Sequence, residues 1–209
     1  MTCHCKIKFL INESGIPLEE RSNPEYQTKR NTLESTLNEP GFVDRACIHE
    51  AGHLIFFAEM GVTEFHYRVP YMESGGAGFD YTPAAIRLKR SQRVDINSQQ
   101  ALFDLAKAAA AGGVFLRKLR DQIDGRDSDD QVRFYLQCIR LGYDNVKKEL
   151  WEEGQYAVEE RLCQSAFRAR AEQIASQLKL LLFFPILGSD PHQVRAQFFL
   201  ESRQAQNAL

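Results

Sequence analysis

One predicted helix constrains this chain more than any other feature. From residue 42 to residue 60 there is no proline and no glycine except Gly52, and Gly61 closes the run. Val43, Ala46, Cys47, Ala51, Leu54, Ile55 and Phe57 recur at helical spacing, which predicts a mostly buried helix. In its middle stands His49-Glu50-Ala51-Gly52-His53. Residues four apart share one helix face, so the two imidazoles can reach a single cation. Three polar side chains on an apolar helix are costly to bury unless they are paired. Two incidental histidines beside a solvated glutamate therefore explain the pattern less well than a metal site does.

That pattern carries a chemistry. Zinc held by His49 and His53 lowers the pKa of coordinated water toward about 7 and polarises a carbonyl oxygen. Glu50 lies about 100° further round the helix, where it reaches such a water rather than the ion. The sequence thus nominates His49 and His53 as zinc ligands and Glu50 as general base. A catalytic zinc usually takes three protein ligands and keeps one position open. The extended motif with a third histidine is not met, because Phe56 and Glu59 stand in the glycine and histidine places. Without that glycine the helix continues, and Glu59 is expected to point away from the metal. The third ligand must come from Glu73, Asp80, Asp124, Asp127, Asp129 or Asp130, and spacing alone does not choose among them.

The rest of the chain reads as mainly helical. Residues 5–11 alternate like a short strand, and residues 14–40, with Pro17, Pro24 and Pro40, read as an extended arm or a loosely packed helix. Two β-like runs, 63–69 and 76–82, surround a turn at Ser74-Gly75-Gly76. Helical composition returns over residues 97–120, rich in alanine at 106–111. The Gly112-Gly113 pair there implies a bend or a close backbone approach. Ser128-Asp129-Asp130-Gln131 opens another helix ending near Leu141-Gly142. A long helical pattern covers residues 145–184, with a break expected near Cys163, and Asp190-Pro191 begins a short last helix. The simplest partition is an N-terminal arm, 1–40, and one helical domain, 41–209, with a small β-hairpin or sheet beside the histidine-bearing helix.

Charge and cysteine usage bound the function. A net charge of -2 gives no electrostatic reason to expect nucleic acid as the main partner. Five scattered cysteines in 209 residues fit a reducing cytoplasm better than a disulfide-stapled secreted domain. The most apolar stretch, residues 178–187, is interrupted by Lys179 and Pro185 and falls short of the roughly 20 residues needed to span a bilayer. Cys3-His4-Cys5 is a weak metal signal, and His66 and His192 read as ordinary side chains rather than ligands.

The His-Glu-Ala-Gly-His segment resembles the zinc motif of the FtsH-type metallopeptidases, which are membrane-bound, ATP-dependent proteases. The resemblance continues in order. Residues 76–83, Gly-Ala-Gly-Phe-Asp-Tyr-Thr-Pro, are similar to the glycine-tyrosine-threonine strand of that family. Residues 108–116 are similar to its small-residue helix, although Arg117-Lys118 replaces the acidic pair that ends it. Gly125 and Ser128-Asp129, followed by a helix to Leu141-Gly142-Tyr143, resemble the segment that supplies the family's aspartate ligand. By that resemblance the third ligand is Asp129, with Asp130 and Asp127 next in order. Acids at a helix N-terminus also favour the helix dipole without any metal. The similar strand, residues 77–82, is either an edge that pairs with an extended substrate or an ordinary hairpin over the helix.

The chain carries no GxxxxGK phosphate loop and no spanning segment, so the motor and anchor of that family are not expected here. A six-membered ring is not carried over either; a homo-oligomer of another kind stays open. Two readings of different class follow. One is an ATP-independent zinc endopeptidase acting on peptides or unfolded protein. The other is a non-enzymatic zinc module that binds peptides or regulates a larger protease assembly. The intact Glu50 favours the enzyme, because a repurposed module has no need of it.

Overall fold

The computed structural model describes residues 11–75, 78–83, 85–88, 94, 96, 98–122 and 127–183. Within them lie α1 (Pro24–Leu37), α2 (Phe42–Glu59), β1 (Phe65–Arg68), β2 (Tyr71–Gly75), β3 (Gly78–Thr82), β4 (Ala85–Leu88), α3 (Gln99–Arg120), α4 (Asp127–Arg140), α5 (Lys147–Leu162) and α6 (Ser165–Phe183). The protein is mainly helical with a small antiparallel β element, as the sequence predicts. The expected break near Cys163 is the gap between α5 and α6. The strand expected at 5–11 falls almost wholly outside the described residues, as do the Cys3-His4-Cys5 cluster and the last short helix.

α3 is the central helix, packed on one side by α2 and on the other by α5. Small residues let both neighbours approach closely. A Cβ at Gly52 of α2 would lie 2.7 Å from the Ala111 carbonyl, and one at Gly154 of α5 would lie 2.9 Å from the backbone of Ala106. Each helix thus rests on the α3 backbone itself, and α2 does so at Ala111 and Gly112, beside the Gly112-Gly113 pair from which a bend or close backbone approach was expected. Phe56 of α2, Phe115 of α3 and Phe167 of α6 then meet edge to face, with ring centroids 6.0–6.4 Å apart. Across the helix ends, Arg120 of α3 reaches Asp44 of α2 at 2.5 Å and Glu172 of α6 at 2.7 Å.

Prolines shape the β element. β1 pairs with β4 and β2 with β3, both antiparallel. Tyr71 pairs with Thr82, and Arg68 with Ala85. The two ladders therefore share one register, and continuing either across the gap sets Pro70 opposite Pro83. Proline has no N–H to give to a ladder, so one long hairpin is divided into two short pairs. The sequence reading expected a single pair, 63–69 with 76–82. β3 pairs instead with β2, and β4 lies beyond both expected runs.

The segment expected as an extended arm or a loosely packed helix forms a helix that joins the core. Asn23 caps α1 by accepting from the Glu25 N–H at 2.8 Å, with Pro24 in the first turn. Tyr26, Leu33 and Leu37 of α1, with Ile16 before it, join the same buried cluster as α2. Tyr26 stands edge-on to Phe79 of β3, ring centroids 5.4 Å apart. Glu13 anchors the preceding turn through Tyr26, Arg30 and Arg21. Arg30 meets it at 2.7 Å. Residue 12 is tied to β2, its carbonyl accepting from the Met72 N–H at 3.0 Å while its own N–H donates to the Pro70 carbonyl just before the strand at 2.7 Å.

If α1 belongs to this core, Leu33→Ala should destabilise the protein by about 2–5 kcal/mol, the range for emptying a fully buried leucine site. A chemical-denaturation midpoint unchanged from wild type would restore the view of residues 14–40 as an appended arm.

Candidate metal centre

The two histidines lie where α2 crosses the small-residue stripe of α3. His49 and Glu50 are buried, and His53 is nearly so. The His53 Nδ1–H donates to the Ala108 carbonyl of α3 at 2.8 Å when the ring carries its proton on that nitrogen. That bond fixes the ring and leaves Nε2 as a lone-pair donor facing His49, in the manner usual for metal-binding imidazoles. The two Nε2 atoms are 3.0 Å apart.

A carboxylate completes the group, and it comes from α4. Asp130 Oδ2 lies 3.2 Å from His53 Nε2 and 3.4 Å from His49 Nε2. His49, His53 and Asp130 are the group of potential ligands found among the described residues. Their edges of 3.0, 3.2 and 3.4 Å match the roughly 3.3 Å ligand–ligand edge of a tetrahedron with bonds of about 2.0–2.1 Å. Three atoms that act as acceptors when unprotonated converge on one point, and each requires something positive between them.

Position 112 leaves the room. A Cβ there would lie 2.6 Å from His53 Nε2 and 2.7 Å from His49 Nε2. Gly112 thus forms an open cradle against the same nitrogens that face Asp130, in a helix that otherwise favours alanine. His49 Nδ1, on the far side of its ring, is buried without a hydrogen-bond partner among the described residues. The three converging donors and the Gly112 cradle fit a cation held by two imidazoles and one carboxylate.

Electrostatics point the same way in the metal-free protein. Burial alone would lower the His53 pKa, but the hydrogen bond and charge of Asp130 outweigh it and push the value up to about 9. Burial likewise opposes ionisation of Asp130. Hydrogen bonds and charge from His49 and His53 overcome it and hold the carboxyl well below its usual range. A proton then serves in the place a metal would take.

The structure brings Asp130, and not Asp129, to the histidines. α4 buries Phe134 and Cys138 on one face, and Asp130 precedes them at four-residue intervals on that face. Asp129 is rotated about 100° away and is exposed. The buried stripe of α4 was the signal that separates the two acids; the resemblance in register obscured it. Of the remaining candidates, Glu73 and Asp80 are an exposed cross-strand pair. Asp124 and the side chain of Asp127 lie outside the described residues. Glu59 turns away from the group and pairs with Arg161 at 2.9 Å, as expected of it. His66 is exposed on β1, and His192 lies outside the described residues.

Glu50 is held from the other side. The backbone N–H of Ile86 in β4 donates to its Oε2 at 3.0 Å. Ile86 pairs with Tyr67 across the β1–β4 ladder, yet its N–H leaves that ladder for α2. The strand beside the histidine helix is therefore β4. The run 77–82, expected to be that strand, contributes β3, which packs with α1. Sequence reading missed the Ile86 amide, the Ala108 carbonyl and the Gly112 cradle; the first two are backbone groups that no motif marks.

No protein-family model, curated protein sequence or solved structure matches the chain.

Two measurements check this geometry. Asp130→Asn should weaken retention of a divalent metal by more than about tenfold, and Asp129→Asn by less than about threefold; competition against a chelator reads both. The opposite ranking would return the ligand to Asp129. The second concerns pH. A histidine whose folded pKa exceeds its unfolded value stabilises the fold fully below the unfolded value and loses that contribution through the folded one. The chelator-treated protein should thus lose thermal stability as pH rises from 6.5 through about 9. No change in melting temperature across that window would contradict the His53–Asp130 pairing.

Proposed function

We propose that this chain is a zinc-dependent peptidase that cleaves peptides or unfolded protein without ATP, with His49, His53 and Asp130 as ligands and Glu50 as general base. The observation that carries the reading is Glu50 itself, a carboxylate buried one residue from a ligand and kept out of the ligand group. The donor set of two imidazoles and one carboxylate also suits a non-haem iron. A non-ligating carboxylate beside it supports hydrolysis in preference to oxygen chemistry.

Zinc, when bound, would acidify water and polarise the scissile carbonyl. The protein's own residues do the remainder. The Ala108 carbonyl holds the His53 proton on Nδ1, so the neutral ring turns the lone pair of Nε2 toward the ligand group. The Ile86 amide holds Glu50 Oε2, so the carboxylate sits in one place before substrate arrives. Glu50 takes a proton from the attacking water at its carboxylate and returns it to the leaving nitrogen as the C–N bond breaks.

The same Ile86 contact favours the second reading, a zinc-containing module without catalysis, since it occupies one oxygen of the base with backbone. A carboxylate has two oxygens, and the enzyme reading requires only one for proton transfer. The similarity to FtsH-type peptidases is likewise a proposal, supported by the order of the matching segments. The described cysteines Cys47, Cys138 and Cys163 are free thiols, which supports work in a reducing compartment such as the cytoplasm. No described helix is long and apolar enough to cross a membrane.

Glu50→Gln decides between enzyme and module. It should retain metal within about threefold of wild type while lowering cleavage of an unstructured substrate such as casein by at least about a hundredfold. Equal cleavage by the two proteins would remove Glu50 as the general base, and cleavage by neither would leave the module reading standing.

A further inference from the structure

α4 presents two faces, and only one is used by the site. Asp130, Phe134 and Cys138 face inward. On the opposite side Asp129, Val132, Arg133, Leu136, Ile139 and Arg140 are all exposed. Val132 is 54% exposed, Leu136 48% and Ile139 50%. Single exposed aliphatic side chains are ordinary, but a continuous stripe on one helix is not. From Asp129 the positions advance by three, four and three residues to Val132, Leu136 and Ile139. That is the 3.5-residue repeat of a helix–helix seam.

Charge along this stripe is ordered. An acid, Asp129, stands at its N-terminal end, and Arg140 stands at its C-terminal end, with Arg133 between. No ion pair joins these three to another described residue. The two ends of this surface are complementary to each other when inverted, while Arg133, one residue from the centre, comes beside its own copy at the margin of the stripe. Rotation by a two-fold axis across the middle of α4 sets Val132 against Leu136 of the partner subunit. The same rotation brings Asp129 beside Arg140 of the partner subunit. A parallel pairing would oppose like charges instead. Isologous dimers demand this self-complementarity, whereas an unrelated partner would need only the apolar stripe.

We infer that the outer face of α4 is a homodimer interface, two copies pairing antiparallel through Val132, Leu136 and Ile139 with Asp129 and Arg140 as reciprocal ion pairs. The inference stands apart from the peptidase reading, since it uses none of the metal ligands. It does place the dimer seam on the helix that delivers Asp130. One helix pair is small for a specific interface, so the dissociation constant falls in the micromolar range.

Sedimentation velocity of the purified full chain from about 1 to 100 µM tests it. A monomer–dimer equilibrium is expected. Leu136→Glu should leave only monomer, while its circular dichroism shows the fold retained. Asp129→Lys and Arg140→Glu should each weaken the dimer by at least about tenfold, and the double reversal should recover to within about threefold of wild type. A wild-type monomer throughout the range would overturn the inference, including the case in which α4 is covered by another segment or another protein. So would a dimer indifferent to Leu136→Glu, or a double reversal as weak as its parents.

Discussion

The crossing of α2 over α3 is the contact on which the site depends. Gly52 lets the helix backbones meet at Ala111, and the same approach carries His49 and His53 against Gly112. With any larger side chain at position 52 the helices would separate. The His53–Ala108 bond, which sets the tautomer, would be lost with them. The acceptors that gather there, two ring nitrogens and a carboxylate oxygen, repel one another unless a positive charge lies between them. Close packing and the need for a cation are thus one feature. Small residues draw the helices together, and the helices place lone pairs closer than they would rest unaided.

The hairpin supplies the other wall. Because Pro70 and Pro83 interrupt its ladder at facing positions, the β1–β4 pair is detached from the β2–β3 pair. One half lies against α2, where the Ile86 amide reaches Glu50, and the other is held by α1 through Tyr26 and Phe79. The N-terminal segment therefore supports the hairpin, and the hairpin in turn supports Glu50. α4 presents two faces, one aiming Asp130 inward and one carrying the exposed side chains of Val132, Leu136 and Ile139.

Much of this was legible in the sequence because helices announce themselves by spacing. α2, α3, α4 and the α5–α6 break follow from apolar periodicity, proline and glycine, and the histidine pair is local to one helix turn. The third ligand was harder to read. Asp129 and Asp130 differ by one step, and motif register weighed more than the Phe134–Cys138 stripe that orients the helix. The pairing of the strands was not readable either, since it rests on two prolines meeting across a gap. Nor was the packing of α1: its apolar residues Tyr26, Leu33 and Leu37 are sparse among polar ones, and only tertiary contact shows that they share one buried side. Contacts made by backbone, such as those of Ala108 and Ile86, leave no mark on residue identity.

Metal content with X-ray absorption on the purified protein addresses the central claim most directly. One zinc per chain, with two imidazoles and otherwise oxygen around it, is the result this account predicts. A protein that binds no divalent ion after metal loading, or one whose ion is coordinated by sulfur, would contradict it.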